Sequence, residues 1–359
     1  MAFLDTQLHL NVPLTDLAIS FRPDEKGWLW NRLLPPKPVT HISNYIRQID
    51  RAALMSIPDM RSGAQGFLSE VQFKIGQTLS YTCVDYGIEV VRDRRERGNA
   101  DAILKYDQRQ LYTGMTKINN MLEKVAIKDT LRVAANYDAN QVATLTAPDQ
   151  WDNVGSPASD PIADIKAAVL AVQIQTGGAR NGKIQVIMHA YTWNAIQLHP
   201  NEVARGPVHP SGAGILTIQA FEEIIFGKPG DPNRLNGEII VSSSFYNVAP
   251  EGQPADMRSF IGPDCLVIYS EEASEENFGF GQAFMFANIE EGIDFYDKSG
   301  GIPIVVYSYP DPKRGMLGSD IDRILGSVDF KVLNPLGGYL LKNVIDGTNT
   351  AAYQNFLNN

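Results

Sequence analysis

Between residues 101 and 135 the apolar side chains keep to one side of a helix. Leu104, Leu111, Met115, Ile118, Leu122 and Val125 are separated by seven, four, three, four and three positions. That spacing is the signature of a single apolar stripe on a 3.6-residue repeat. Asn99 or Asp101 can cap its start. At 1.5 Å per residue such a helix is roughly 50 Å long, and an element of that length sets the scale of whatever is laid along it. Gly114 sits in its middle. It costs about 1 kcal/mol relative to Ala, which makes sense where another backbone comes close, although the sequence does not show one.

The chain before the helix is irregular. Pro13, Pro23, Pro35, Pro36 and Pro38 punctuate the first 40 residues, which fits an extended arm and not a helix. The arm nevertheless carries Trp28, Leu29, Trp30, Leu33 and Leu34, groups that a disordered tail normally lacks. It is expected to bury its aromatics against its own body or against a neighbouring copy. Nearer the helix, Val71, Phe73 and Ile75 alternate with polar residues, as do Leu79, Tyr81 and Cys83. The pattern predicts a two-stranded hairpin turning at Gly76-Gln77, which needs another surface to lie on.

Beyond the helix the elements alternate in type. Asp160 as N-cap, Pro161 at the first position and Gly177 or Gly178 at the end predict a helix over "DPIADIKAAVLAVQIQTGG". "KIQVIM" reads as a strand, "YTWNAIQLHP" and "TIQAFEEIIFG" as short helices, and "GEIIVSS" and "CLVIYS" as buried strands. The last third, from "QAFMFANI" to "GGYLLKNVI", is mostly strand. Helices and strands interleave first and strands dominate later, so the fold class is α+β.

Chemistry is harder to find. With 359 residues, 44% hydrophobic and 20% charged, the chain has the composition of a folded soluble protein. Its net charge of -10 argues against tight nucleic-acid binding. There is no GxSxG, HExxH, phosphate loop or GxGxxG motif. "TGGARNG" reads as a helix-ending turn. His189, His199 and His209 recur every ten residues, which is no metal-ligand spacing. The acidic runs at 271–278 and 289–297 read as solvated faces, although a metal-dependent enzyme built on them is a rival hypothesis. Cys83 and Cys265 fit packing, without a zinc or disulfide framework. Trp151 is expected to anchor its loop to the core. No catalytic, cofactor or metal residue is assigned. An apolar-bearing arm, a projecting hairpin and a long helix are devices for self-association.

Two stretches are more specific. "RVAANYDANQVATLTAPDQWDNVGSPASDPIADIKAAV" and "GKIQVIMHAYTWNAIQLHPNEV" resemble consecutive segments of tailed-bacteriophage major capsid proteins. "YTCVDYGIEVVRDRRERGNAD" resembles their joint between extended loop and spine helix. The resemblance implies the coat fold shared by tailed phages, encapsulins and herpesvirus shell floors. It implies an arm over 1–45, an extended loop over 46–92, a peripheral domain with the spine helix over 93–135 and an axial domain over 136–290. Closing strands over 291–345 and a tail over 346–359 complete the division. The implied function is a non-enzymatic subunit that assembles as hexamers and pentamers into an icosahedral shell around double-stranded DNA. An encapsulin-like compartment shell is the alternative.

The partners so implied are the chain itself, a portal, and scaffold or decoration proteins, with no sequence-specific DNA contact and no membrane. The implied location is the virion, after synthesis in the bacterial host cytoplasm. The arm begins near Met1, so a separate scaffold or none is expected and not a long cleaved segment. Some relatives form Lys–Asn cross-links between subunits; here Lys74 lies in the predicted loop and Asn343 near the end, and no matching motif supports the link. The assembly-interface candidates are Trp28, Trp30, Arg92, Arg94, Arg95 and Arg97. The arginines interleave with Asp93, Glu96 and Asp101, a pattern suited to salt bridges with acids on adjacent subunits.

Overall fold

The computed structural model describes residues 9–10, 28–49, 75–99, 103–153, 155–177, 182–200, 216–232, 234–249, 252–271, 279–286 and 304–346. One sheet joins β1 (His9–Leu10), β2 (Pro36–Val39), β5 (Val84–Asp93), β12 (Gly281–Phe286), β13 (Ile304–Asp311) and β14 (Ser319–Val332). Its organising strand is β14, at 14 residues. β5 pairs antiparallel with it from Ser319 opposite Asp93 to Val328 opposite Val84. β13 pairs with its first half and β12 with its second. The arm enters this sheet, because β2 runs parallel to β12.

A second sheet has the order β6 (Val142–Thr144), β15 (Gly338–Lys342), β11 (Cys265–Ser270), β7 (Lys183–His189) and β8 (Gly237–Ser242). Side chains alternate across a strand, and here both faces are covered. Ile184, Val186, Met188, Cys265, Val267 and Tyr269 belong to a core shared with helices. Ile187, Leu266, Ile268 and Leu340 belong to a different core, which includes the long helix. This double burial explains why "KIQVIM" and "CLVIYS" read as continuous apolar runs. A smaller pair, β9 (Phe245–Asn247) with β10 (Met257–Ser259), lies apart from both sheets.

The helices are α1 (Trp30–Leu33), α2 (Arg94–Asn99), α3 (Ile103–Glu123), α4 (Pro161–Gln175), α5 (Ala190–Leu198) and α6 (Ile218–Phe226). The long helix is α3, which continues into a π-helical stretch over Lys124–Leu131. Together they rise roughly 43 Å, shorter than 101–135 implies because the described helix runs only from Ile103 to Leu131. Leu111, Met115, Ile118 and Leu122 are buried along its stripe. A Cβ on Gly114 would lie 2.6 Å from Ile324 Cδ1 and 2.7 Å from Val90 Cγ2. The glycine thus lets α3 sit down on the β5–β14 pair. For α4, the Asp160 carboxylate accepts the Ala163 N–H at 3.0 Å and Pro161 opens the helix. Thr217 caps α6 in the same way, and Gly227 ends it at φ 102°.

The hairpin expected to turn at Gly76-Gln77 is corrected. β4 (Ile75–Thr82) runs straight through that dipeptide and pairs antiparallel with β3 (Ser43–Ile49), with a register shift between Arg47 and Ile49. The sequence pattern accounts for this. Ile75, Leu79, Tyr81 and Cys83 all keep odd parity across Gly76-Gln77, as one continuous strand does. Residues 71–74, and with them Val71 and Phe73, lie outside the described residues.

Candidate assembly surface

The arm is held by a buried acid. The Glu123 carboxylate accepts the Leu29 N–H at 3.0 Å with each oxygen, and the Trp30 N–H at 2.8 Å with Oε2. These donors belong to the start of α1, a helix end whose N–H groups lack intrahelical partners. Glu123 is fully buried, and burial pushes its carboxyl up to about 7, against the lowering effect of the two backbone N–H groups. Beside it the Trp28 indole donates to Asn120 Oδ1 at 2.6 Å. Trp30 is 1% exposed and meets Phe330 edge-on at 5.9 Å between ring centres. Of the two destinations expected for the arm's aromatics, the described contacts are with the arm's own body.

The charged joint is the second feature. Arg92 is buried, and its Nη2 donates to Asp322 Oδ1 at 2.6 Å while Nη1 lies 3.3 Å from Asp107 Oδ1. Ser308 Oγ also donates to Asp322 Oδ1, at 2.6 Å. Arg97 reaches Asp107 at 2.8 Å and Asp320 at 3.6 Å. Arg94 is exposed and pairs with Asp320 at 2.8 Å. Arg95 is exposed at the joint, with Nη1 3.9 Å from Met316 Sδ. So Arg92, Arg94 and Arg97 converge on three acids of the same chain, from α3 and β14. Trp28 and Trp30 lie apart from them, at the other end of α3.

Exposed apolar groups gather at two places. Where the ribbon begins and ends, Tyr81 stacks on Phe284 at 4.8 Å, and Cys83 and Leu333 close the cluster. Burial pushes the Cys83 thiol up to about 11, which suits a packing role and not a nucleophile. Ile42, Tyr45 and Val84 lie open nearby, with Tyr45 73% exposed. At the β13–β14 turn, Met316 is 85% and Leu317 63% exposed.

Among the described residues no three His, Cys, Asp or Glu side chains come together as metal ligands. The acidic runs fall largely outside those residues, at 272–278 and 287–303. His189 is buried, its Nδ1 accepts the Tyr191 N–H at 3.3 Å, and burial pushes its ring down to about 3. It caps α5 as a neutral ring. His199 Nε2 lies 3.2 Å from Ser159 Oγ. Trp151 is buried in the helical core and its indole donates to Asp164 at 2.9 Å, so it anchors its loop as expected.

Sequence reasoning missed Glu123, Asp107, Asp320 and Asp322. Glu123 carried a readable signal, since Asn119, Glu123 and Ile127 form one i, i+4 row beside the apolar stripe. Asp320 and Asp322 carried none, because their arginine partners are more than 200 residues away.

No protein-family model matches the chain, and no curated protein matches it. Solved structures do match. A phage-related protein from Bordetella bronchiseptica RB50 aligns with a TM-score of 0.66 at 18% identity, over 94% of this chain and 98% of that one. The SrpI encapsulin from Synechococcus elongatus PCC 7942 gives 0.51 at 12%, over 93% and 95%. At such identities the likeness is one of fold. The chain has the α+β fold of this phage-related protein and of the encapsulin, and the likeness runs through nearly the whole chain.

Proposed function

We propose that this chain is a major capsid protein. It self-assembles as hexamers and pentamers into an icosahedral shell that encloses the double-stranded DNA of a tailed phage. The observation that carries the reading is the fold shared with the phage-related protein over 94% of the chain, on a sequence whose motifs resemble phage coat segments in the right order. In this reading residues 1–45 are the arm, 46–92 the extended loop, 93–135 the peripheral domain with the spine helix, and 136–290 the axial domain. The segment 291–345 supplies closing strands and 346–359 the tail. The subunit is structural and not an enzyme. Closed symmetry lets one set of surfaces build every contact, each burying on the order of 1,600 Å² when stable.

The six interface candidates then divide by exposure. Arg94 and Arg95 offer charge to a neighbour, and Trp28 offers a partly exposed edge. Arg92 and Trp30 act from inside, together with the half-buried Arg97, by setting the angle of the joint and the path of the arm. The acidic balance suits a container that need not grip DNA. A portal and a scaffold or decoration protein are the expected partners besides the chain itself. The expected location is the virion, after synthesis in the bacterial host cytoplasm. No helix among the described residues is long and apolar enough to cross a membrane.

Electron microscopy of the purified full chain, alone and with a co-expressed scaffold, tests this. Isometric shells with hexameric and pentameric units are expected. A discrete monomer at high concentration under both conditions would refute it. Particles that package protein cargo and no DNA would assign the chain to an encapsulin-like compartment instead.

A further inference from the structure

Trp28–Leu34 is a short apolar segment seated in the core that the long helix shares with both sheets. Leu29, Trp30, Leu33 and Leu34 are each 1% exposed or less there. A helix of four residues does not persist on its own in water, so α1 depends on this seat. The N–H groups at its start are satisfied by Glu123. One oxygen of that carboxyl is enough for both. Oε2 accepts from Leu29 and from Trp30, which leaves Oε1 able to carry a proton. Asn119 stands one helical turn earlier in the same row. Its Oδ1 is buried without a partner among the described residues, an acceptor of the kind such a proton needs.

A carboxylate buried without a cation is costly, and the neutral acid is favoured instead. The charged groups of the surrounding elements are engaged elsewhere. In α1, Arg32 pairs with Glu238 of β8 at 2.7 Å. Against burial, hydrogen bonds from Arg32 and Gln185 hold the Glu238 carboxyl below its ordinary range. After Glu123, Lys124 lies on the next face of the helix, and Lys128 donates to the Tyr246 hydroxyl at 3.2 Å. In β14, Asp329 and Lys331 flank Phe330 and so point away from the face that meets Trp30. Burial therefore decides the protonation of Glu123, opposed by the two backbone N–H groups.

The segment also has a boundary at which to open. Pro35 and Pro36 follow α1 directly. The Ala283 N–H donates to Pro35 O at 3.2 Å, and β2 runs on parallel to β12. The chain before Pro35 can leave while the chain after it stays paired. Apolar burial opposes that movement, and two features favour it. Trp30 Nε1 is buried without a hydrogen-bond partner among the described residues, a donor that water satisfies on opening. The Arg32–Glu238 pair is partly exposed and adds little to the seat.

We propose that Trp28–Leu34 is a proton-gated latch, seated while Glu123 carries its proton and released from the core about Leu34–Pro35 as the acid ionises. Opening hydrates the carboxylate and lets it ionise at its ordinary value. The latch is therefore tightest below pH 4.5 and loosens as pH rises through 7. It is a property of the single subunit, whether or not the chain builds a shell.

The test is residue-resolved amide hydrogen exchange of the unassembled full chain at pH 5 and pH 8, each rate divided by its intrinsic rate. The reporters are the Leu29, Trp30, Leu33 and Leu34 N–H groups, the last two bonded to Leu29 O and Trp30 O. A carboxyl that titrates at about 7 when seated and at 4.5 when exposed favours opening about 70-fold more at pH 8 than at pH 5. Reporter protection should fall by about that factor. At pH 8 it should also lie at least tenfold below that of the amides of β11, the centre of the second sheet. In Glu123→Gln the reporters should change by about threefold or less. Parent reporters equally protected at both pH values would overturn the proposal, whatever the variant does. So would the same loss in Glu123→Gln. Reporters that match β11 at pH 8 would also overturn it, because the segment would then leave only when the whole chain unfolds.

Discussion

Replacing Glu123 with Gln isolates the electrostatics of the arm's anchor. In the folded chain the carboxyl titrates at about 7, against an ordinary 4.5, because it is buried. The folded state therefore binds the proton more tightly than the unfolded state does. The stabilisation from this proton is full below pH 4.5 and is lost as pH rises through 7. A gap of about 2.5, at about 1.36 kcal/mol per pH unit, amounts to about 3 kcal/mol. No charged neighbour shares the cause; burial raises the value, and only the Leu29 and Trp30 N–H groups pull it down.

Gln stays neutral, and its carbonyl can take the place of Oε2, which accepts from both N–H groups. Glu123→Gln should match the parent at pH 5 within about 1 kcal/mol. At pH 8 it should exceed the parent by up to about 3 kcal/mol. For a chain of this length that is about 4 °C in melting temperature. Glu123→Ala should instead lose about 1–3 kcal/mol for each N–H left buried without an acceptor. The assay is thermal unfolding of the unassembled subunit between pH 5 and 8. His189 works in the opposite sense: its ring titrates at about 3 when folded, so its stabilisation is full above pH 6.5 and is lost as pH falls. At pH 5 that loss is about 2 kcal/mol, and the parent's own profile is flattened accordingly. The difference between parent and Glu123→Gln removes this background. Identical pH dependence in the two chains would refute the reasoning.

Three further outcomes are expected. Gly114→Ala gains about 1 kcal/mol of helix propensity but presses on Ile324 and Val90 at about 1–3 kcal/mol, so urea melts should show a net loss of about 0–2 kcal/mol, and Gly114→Val a larger one. Asp322→Ala leaves Arg92 buried beside Asp107 alone and should cost about 3–5 kcal/mol in the same melts. Arg94→Glu with Arg95→Glu alters exposed groups and one exposed ion pair, worth about 1 kcal/mol or less to the fold. It should lower the yield of assembled particles, scored by sedimentation, far more than the yield of soluble subunit; equal losses would count against an interface role.

The sequence by itself determined the local elements. Periodicity located the long helix through Leu111, Met115, Ile118 and Leu122, and capping chemistry placed α4 between Asp160 and its closing glycine. Period-2 alternation found β4 yet misplaced its partner, because parity says that a strand exists and not which strand lies beside it. Only the tertiary structure decided that β3 pairs with β4, that β14 organises the first sheet, and that the arm rests on Glu123. The arginine run shows why. Its composition was plain in the sequence, but Arg92 meets Asp322 across 230 positions, and long-range pairing leaves no local trace. Gly114 makes the same point from the other side. Its cost to the helix could be read at once, while its use became visible only with Val90 and Ile324 packed against it.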